Sequence, residues 1–296
     1  MTFEKQPRTI QIFLPSGDPS GIRVAEITTS IVRVIEVPRN QMAEFLKMPE
    51  AHQVGLYFLV GRENQDEVYI GQSGDVGHRL GQHLKNEKKD WERALVLISL
   101  TNNLTQTHAL YLESLSIEKA KQCARYELIN GNGGQKPHTP IPLKADCDEI
   151  HRVGSLLLAT LGYPIFEALV DPTEGDTKEM FFCTRGGVDG KAYYTNEGMV
   201  MLKGSSAPYV PKIKKTKARI VAQRDELLEK GTLVRDGDRV VFSKDHLFNT
   251  PSGASCLLIL GASNGWREWK TSTGQTLDEY VGREKDIAEE QEDSYV

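Results

Sequence analysis

Two short apolar runs, "VGLYFLV" and "EVYIGQ", set around the polar stretch Arg62-Glu63-Asn64-Gln65-Asp66, constrain this chain more than any other feature. Alternation with a period of two marks a strand whose two faces meet different surroundings. Leu56, Phe58 and Val60 alternate with Tyr57 and Leu59, and Val68 and Ile70 alternate with Glu67, Tyr69 and Gly71. A turn-prone link between two such runs predicts an antiparallel hairpin. With the pairing centred near Glu63, Tyr57 lies opposite Tyr69 and Gly55 opposite Gly71. Leu56, Phe58, Val60, Val68 and Ile70 then face a core. Both tyrosines point the other way, onto an open face beside two glycines whose missing side chains leave a gap for a substrate backbone. A slip of one residue would turn a tyrosine into the core, so the apolar pattern disfavours it.

Tyrosine is also simply a good strand former, so the hairpin alone does not define a site. The next segment of the chain adds chemistry. Residues Asp75 to Leu84 read as a helix starting near Ser73 or Asp75, either of which is a good N-cap. Arg79 and His83 are four apart on that helix and so share a face, delivering a cation and an imidazole just after the second tyrosine. Residues 105 to 123 form a second helical stretch, which contains Glu113 in "HALYLESLSIEKA".

Gly55-Leu56-Tyr57, Tyr69-Ile70-Gly71, Arg79 with His83, and Glu113 together resemble the GIY-YIG nuclease family in order and approximate spacing, over roughly residues 54 to 134. Leu56 stands where the family name has isoleucine. The last family element is an asparagine after the glutamate helix, for which "YELINGNGG" offers Asn130 and Asn132. The opening "TIQIFLPSGDPSGIRVAEIT" and the later "KDWERALVLIS" are similar to the N-terminal extension and third strand of a bacterial subgroup. The end of the chain, from "HLFNTPSG" to "TLDEY", resembles the small domain of unknown function that often accompanies such units.

The resemblance implies a metal-dependent endonuclease acting on DNA, duplex or branched. Glu113 would hold Mg2+ (or Mn2+), a hard cation that a carboxylate and waters suit. Arg79 would grip a phosphate oxygen through its planar fork of donors. Tyr57 would activate the attacking water, Tyr69 would orient that water or a phosphate oxygen, and His83 would position a tyrosine hydroxyl or the water. A free phenol titrates near pH 10, so only about one Tyr57 in a thousand would be phenolate at neutral pH without help. Either a neighbour favours the phenolate, or Tyr57 orients water while another group takes the proton.

Composition frames this reading. Cys123, Cys147, Cys183 and Cys256 form no Cys-x-x-Cys pair, which points to free thiols in a cytoplasmic protein and away from zinc or disulfides. The longest apolar stretch, "SLLLATLGYPIFEALV", carries Pro164 and Glu167, so no membrane span is expected. The net charge of -5 is unusual for a DNA enzyme, but the acidic tail "REKDIAEEQEDSYV" supplies most of it. Candidate phosphate contacts remain at Lys85, Lys88 and Lys89 and at Lys214 and Lys215 in "PKIKKTKARIVAQR". Trp266 and Trp269 in "NGWREW" offer a base-stacking surface or, alternatively, core.

The expected fold is α+β: a GIY-YIG unit with a small antiparallel sheet flanked by helices, and a C-terminal mixed α/β accessory domain. Residues 8 to 37 predict a hairpin or pair of strands, so 1–53 is an extension packed on the nuclease domain at 54–134. Pro137, Pro140 and Pro142 mark 135–175 as linker and connecting helix, the helix running from about 146 to 162. The accessory domain spans 176–281 and the acidic tail 282–296. The alternative to a nuclease is a catalytically inactive nucleic-acid-binding module, or a regulatory interaction protein whose acidic tail imitates DNA.

Overall fold

A computed structural model describes residues 7–61, 67–86, 90–130, 137–170, 179–209 and 218–282. The chain divides into two compact units, Met1–Ala168 and Leu169–Val296, each with both helices and sheet, so the protein is α+β.

The first unit is built on one seven-stranded sheet. Three strands precede the hairpin, β1 (Ile10–Phe13), β2 (Arg23–Ile27) and β3 (Val32–Pro38), where a hairpin or pair was expected. A short helix α1 (Met42–Phe45) and a tight 3-10 turn (Pro49–His52) lead into β4 (Gly55–Val60) and β5 (Glu67–Ser73), followed by helix α2 (Val76–Lys85) and β6 (Arg93–Ser99). Helix α3 (Gln106–Cys123), the two-residue strand β7 (Glu127–Leu128) and helix α4 (Ile141–Thr160) complete it. The strand order is β1-β2-β3-β6-β4-β5-β7. Every pair is antiparallel except β5 with β7. The N-terminal strands therefore continue the same sheet, with β3 paired along its whole length with β6.

Alternation sorts the hairpin's side chains as its pattern predicts, but both faces are covered. Leu56, Phe58, Val60, Val68 and Ile70 enter a core with α3 and α4, through Leu112, Ile117, Ile150, Val153 and Leu157. Tyr57 and Leu59 enter a second core with Met42, Phe45, Ala51, Val76, Leu80 and Trp91. The face expected to be open is closed because the segment before β4 supplies α1 and a turn that, with α2, lie over it.

The register also differs from the expectation. Tyr57 pairs with Gly71, Leu59 with Tyr69 and Gly55 with Ser73, a shift of two residues that leaves every side chain on its expected face. Packing explains the shift. A Cβ on Gly71 would stand 2.4 Å from both Cζ and the hydroxyl oxygen of Tyr57, so the absent side chain makes room for the tyrosine ring. At Gly55 a Cβ would meet the Leu97 carbonyl oxygen at 2.5 Å, so this glycine lets β6 approach. Neither glycine leaves a gap for substrate backbone.

Helix α4 starts at Ile141, earlier than expected, with Pro142 in its first turn. Proline is well suited there, since the N–H it lacks would have no partner in the helix. Cys147, Ile150, Val153, Leu157 and Leu158 of α4 lie in the first unit's core, so the segment read as a linker is part of that unit. Beyond it, the Tyr163 hydroxyl donates to Glu36 at 3.0 Å, and Arg23 both pairs with Glu36 and donates to the Leu161 carbonyl at 3.1 Å. Glu36 is 2% exposed, and a carboxylate so buried is tolerated because cations and a hydroxyl surround it.

The second unit holds a four-stranded antiparallel sheet formed by β8 (Met180–Cys183), β9 (Gly190–Thr195), β10 (Gly198–Met201) and β14 (His246–Phe248). A three-stranded antiparallel sheet consists of β11 (Ser206–Pro208), β12 (Leu233–Asp236) and β13 (Arg239–Phe242). Helices α5 (Ala218–Glu229), α6 (Pro251–Ile259), α7 (Gly265–Glu268) and α8 (Leu277–Val281) accompany them. Apolar α6 residues Ala254, Leu257 and Leu258 pack with Phe181, Met199, Phe242 and Trp269. Among the described residues, no helix is long and apolar enough to cross a membrane.

Candidate active site

Helix α2 carries the first part of the site, and a local cap fixes where it starts. The Asp75 carboxylate accepts from the His78 backbone N–H at 2.7 Å, as an N-cap does. Val76 and Leu80 anchor the helix in the second core, which turns Arg79 and His83, four residues apart, toward β4 and β5.

The Tyr57 hydroxyl lies 3.0 Å from His83 Nε2 and accepts from Arg79 Nε at 3.4 Å. Arg79 donates to the phenol oxygen, and the phenol and His83 Nε2 share a second hydrogen bond whose donor is set by the imidazole tautomer. Tyr69 completes the aromatic cluster, its ring centroid 6.2 Å from that of Tyr57 and 5.5 Å from that of His83, and its hydroxyl also bonds Arg79. Arg79 is further held by Gln82 Oε1, which accepts from Nη1 at 2.7 Å. Tyr57 is 1% exposed and His83 5%. Burial drives the Tyr57 phenol far above its ordinary value, opposed by its bond to Arg79. The same bond raises the Arg79 guanidinium, because each partner favours the other's charged form.

Glu113 reaches this cluster from α3. Its carboxylate accepts from the Gln72 backbone N–H and feels the charge of Arg79, yet burial dominates and raises its pKa. It makes no ion pair with the described residues, so it is a half-buried carboxylate short of positive charge. No group of three or more His, Cys, Asp or Glu side chains among the described residues is placed to hold a metal, so a cation at Glu113 would have at most two such protein ligands. That fits magnesium, which keeps several waters and takes one or two carboxylates.

Tyr57, Tyr69, Arg79, His83 and Glu113 are thus brought together. The other candidates are distributed differently. Asn130 sits at the sheet edge, where its amide accepts from Ile70 N–H at 3.0 Å and donates to Ile70 C=O at 2.7 Å. A side chain there continues the ladder that β7 begins, and so holds the strand bearing Tyr69. Lys85 is exposed at the end of α2. Trp269 is fully buried and donates from Nε1 to the Pro251 carbonyl at 3.0 Å, which removes it from any stacking surface. Trp266 is half-buried, edge-on to Tyr194 with ring centroids 5.5 Å apart. Lys88, Lys89, Asn132, Lys214, Lys215 and most of the acidic tail lie outside the described residues.

Gln72 and Gln82 went unread in the sequence. Gln82 is three residues beyond Arg79 on one helix, a spacing that could have found it. Gln72 acts through its backbone, and its side chain accepts from Gln106 Nε2 at 2.7 Å, a contact between separate elements with no local signal.

No curated protein and no solved structure matches the chain significantly. Residues 181–281, the greater part of the second unit, match the family model of DUF4357, a domain of unknown function.

Proposed function

We propose that the first unit is a metal-dependent endonuclease that hydrolyses DNA phosphodiester bonds through a GIY-YIG-type site. One observation carries this reading: the Tyr57 hydroxyl lies between Arg79 Nε at 3.4 Å and His83 Nε2 at 3.0 Å, with Tyr69 and Glu113 in the same cluster.

The chemistry follows from the donors and acceptors. A buried phenol is a poor base, but this one has an acceptor for its proton and a cation beside its oxygen. As water attacks phosphorus, its proton passes to the Tyr57 oxygen while the phenol's own proton passes to His83 Nε2. Arg79 stabilises charge on the phenol oxygen and, with its remaining N–H groups, on phosphate oxygens. The phosphorus–oxygen bond on the far side breaks, and the leaving oxygen takes a proton from solvent. Glu113 is the residue that would hold Mg2+ or Mn2+, which when bound supplies charge neutralisation for the leaving oxygen.

The burial of Tyr57 favours a second reading, a nucleic-acid-binding module without turnover, because substrate water must reach a hydroxyl that is almost wholly enclosed. One assay separates the two. The full chain is incubated with supercoiled, linear and single-stranded DNA, with and without Mg2+ or Mn2+, beside Glu113→Gln. Metal-dependent cleavage that Glu113→Gln loses, while still binding DNA in calcium buffer, supports the nuclease. DNA binding without cleavage in either metal supports the module.

A further inference from the structure

Arg79 is exposed, whereas Tyr57 and His83 are buried and Tyr69 and Glu113 half-buried, so the guanidinium is the part of the cluster that a backbone phosphate can reach first. An exposed arginine ordinarily samples many rotamers, and a swinging fork cannot meet two phosphate oxygens at once. What holds this one still therefore bears on function.

The hold comes from its own helix. His78, Arg79 and Gln82 lie on the solvent side of α2, while Val76 and Leu80 anchor the other side in the core. Gln82 Oε1 accepts from Arg79 Nη1 at 2.7 Å, and Gln82 Nε2 lies 3.0 Å from His78 Nε2. Spacings of three and four residues are those at which helical side chains meet. Because a guanidinium can only donate, the oxygen of the Gln82 amide must face Arg79, which turns its nitrogen toward His78. An amide nitrogen also only donates. His78 Nε2 is therefore the acceptor, and the ring carries its hydrogen on Nδ1. The opposite amide orientation would set N–H against N–H at 2.7 Å. The imidazole thus fixes the amide, and the amide fixes the fork.

Two features of this hold suit a phosphate. Of the five guanidinium N–H groups, one goes to Tyr57, one to Tyr69 and one to Gln82, which leaves two, the number that grips two oxygens of one phosphate. All three partners are neutral, and Arg79 makes no ion pair with the described residues, so its charge is not spent inside the protein. A glutamate at position 82 would hold the fork and cancel that charge. Glutamine holds it without cancelling.

We propose that His78 and Gln82 are positioning residues for Arg79: His78 orients the Gln82 amide, and the amide holds the guanidinium so that its two spare N–H groups take two oxygens of one DNA backbone phosphate. This role takes its substrate from the nuclease reading, yet the two can fail separately.

The full chain and its variants are tested for cleavage of supercoiled DNA in Mg2+ and Mn2+, for affinity to a short duplex in calcium buffer over a range of salt, and for the nitrogen-15 shifts of His78. Position 82 is exposed, so substitutions there should leave the fold intact. In wild type, His78 should show the Nδ1–H form. Gln82→Leu should keep duplex affinity within about twofold and lower kcat about tenfold, because a loosened fork keeps its charge but meets the reacting phosphate less well. Gln82→Glu should do the reverse, keeping more of kcat while weakening duplex affinity about fivefold, the scale of one exposed ion pair, with a shallower salt dependence. Its carboxylate offers no donor, so His78 should then carry a hydrogen on Nε2. Gln82→Leu should add nothing to Arg79→Lys, which has no fork to hold, whereas a merely structural role would slow both backgrounds alike. The proposal is overturned if Gln82→Leu cleaves as wild type does, if it slows Arg79→Lys as much as it slows wild type, if Gln82→Glu binds the duplex as tightly as wild type, or if wild-type His78 holds its hydrogen on Nε2. A wild type that binds the duplex but cleaves in neither metal ends the nuclease reading alone, and the Gln82→Glu affinity and the His78 shifts then decide the proposal. A wild type that binds no duplex overturns both.

Discussion

His83 and His151 sit on helices that cover opposite faces of one sheet, and their Nε2 atoms meet opposite fates. His83 Nε2 shares a hydrogen bond with the Tyr57 hydroxyl at 3.0 Å, beside an arginine that steadies the phenol oxygen. His151 Nε2 is sealed from solvent and has no hydrogen-bond partner among the described residues. Helical spacing alone does not separate the two, because each histidine is four residues from a polar neighbour, Arg79 in one case and Ser155 in the other. What separates them is the partner that the rest of the fold brings up. At His83 it is a strand tyrosine that can pass a proton on. At His151 the fold brings up no partner for Nε2 among the described residues. An imidazole bonded to a phenol is equipped for proton exchange, and one buried without a partner is kept neutral by its surroundings.

The strongest way to break this contrast is to remove the hydroxyl that His83 meets. Tyr57→Phe keeps the ring and deletes the hydroxyl, leaving His83 Nε2 without that partner, as His151 is. On the nuclease reading, cleavage should fall about a hundredfold or more, the range in which positioned proton-transfer groups act. Arg79→Ala should be similarly impaired and Arg79→Lys should recover little, because an ammonium cannot reproduce the planar fork. Turnover by Tyr57→Phe close to wild type would remove the Tyr57–His83 pair from the chemistry.

Gly71→Ala should act on the same pair more gently. The new Cβ would stand 2.4 Å from the Tyr57 hydroxyl oxygen, so the ring must shift off His83. Overpacking of this kind costs about 1–3 kcal/mol. Urea midpoints should fall accordingly, with cleavage reduced more than affinity for DNA. An unchanged midpoint would mean that the hairpin gives way without cost and that the glycine is not fixing the tyrosine.

Much of this contrast could be read in the chain, and the parts that could not share a cause. The strand faces, the Asp75 cap and the pairing of Arg79 with His83 follow from periods of two and of about four, which are local. The register escaped because a shift of two preserves every face, and only the bulk of the Tyr57 ring against Gly71 decides it. The closed tyrosine face escaped because its cover comes from Met42, Phe45 and Ala51, which carry no mark of where they pack. Pro140 and Pro142 read as a linker because proline breaks helices, yet proline also starts them. The true extent of α4 decides where the chain can be cut. Ending it at residue 145 would cut α4 and bare the core around Leu112 and Ile117, so a fragment of 1–168 is the one expected to fold.

Acid should act on His151. Its folded pKa of about 4 lies below the ordinary value of 6.5, so the unfolded chain binds the proton more readily. Stability from this group is therefore fully present above about pH 6.5 and is lost progressively as the pH falls toward 4, by roughly 2–4 kcal/mol in all. Urea unfolding of the 1–168 fragment between pH 7 and 4 measures it. His151→Phe should flatten that part of the profile, and an equally steep profile in the variant would assign the acid sensitivity to other groups.

The smallest expected effect tests the origin of the contrast itself. Ser155 fixes the hydrogen of His151 on Nδ1 because its own proton is spent on the His151 carbonyl. Ser155→Ala removes two contacts within one helix turn at a half-buried position, to the His151 carbonyl and to its ring, so the stability should change by about 1–2 kcal/mol. The ring's tautomer should respond much more. Without the serine oxygen neither nitrogen is held, and part of the population moves the hydrogen to Nε2. Nitrogen-15 shifts of the imidazole should then show a mixture in place of the single Nδ1–H form, and the His83 signals should not move. A ring that keeps its hydrogen on Nδ1 in Ser155→Ala would show that burial beside Phe166, and not the serine, sets the tautomer.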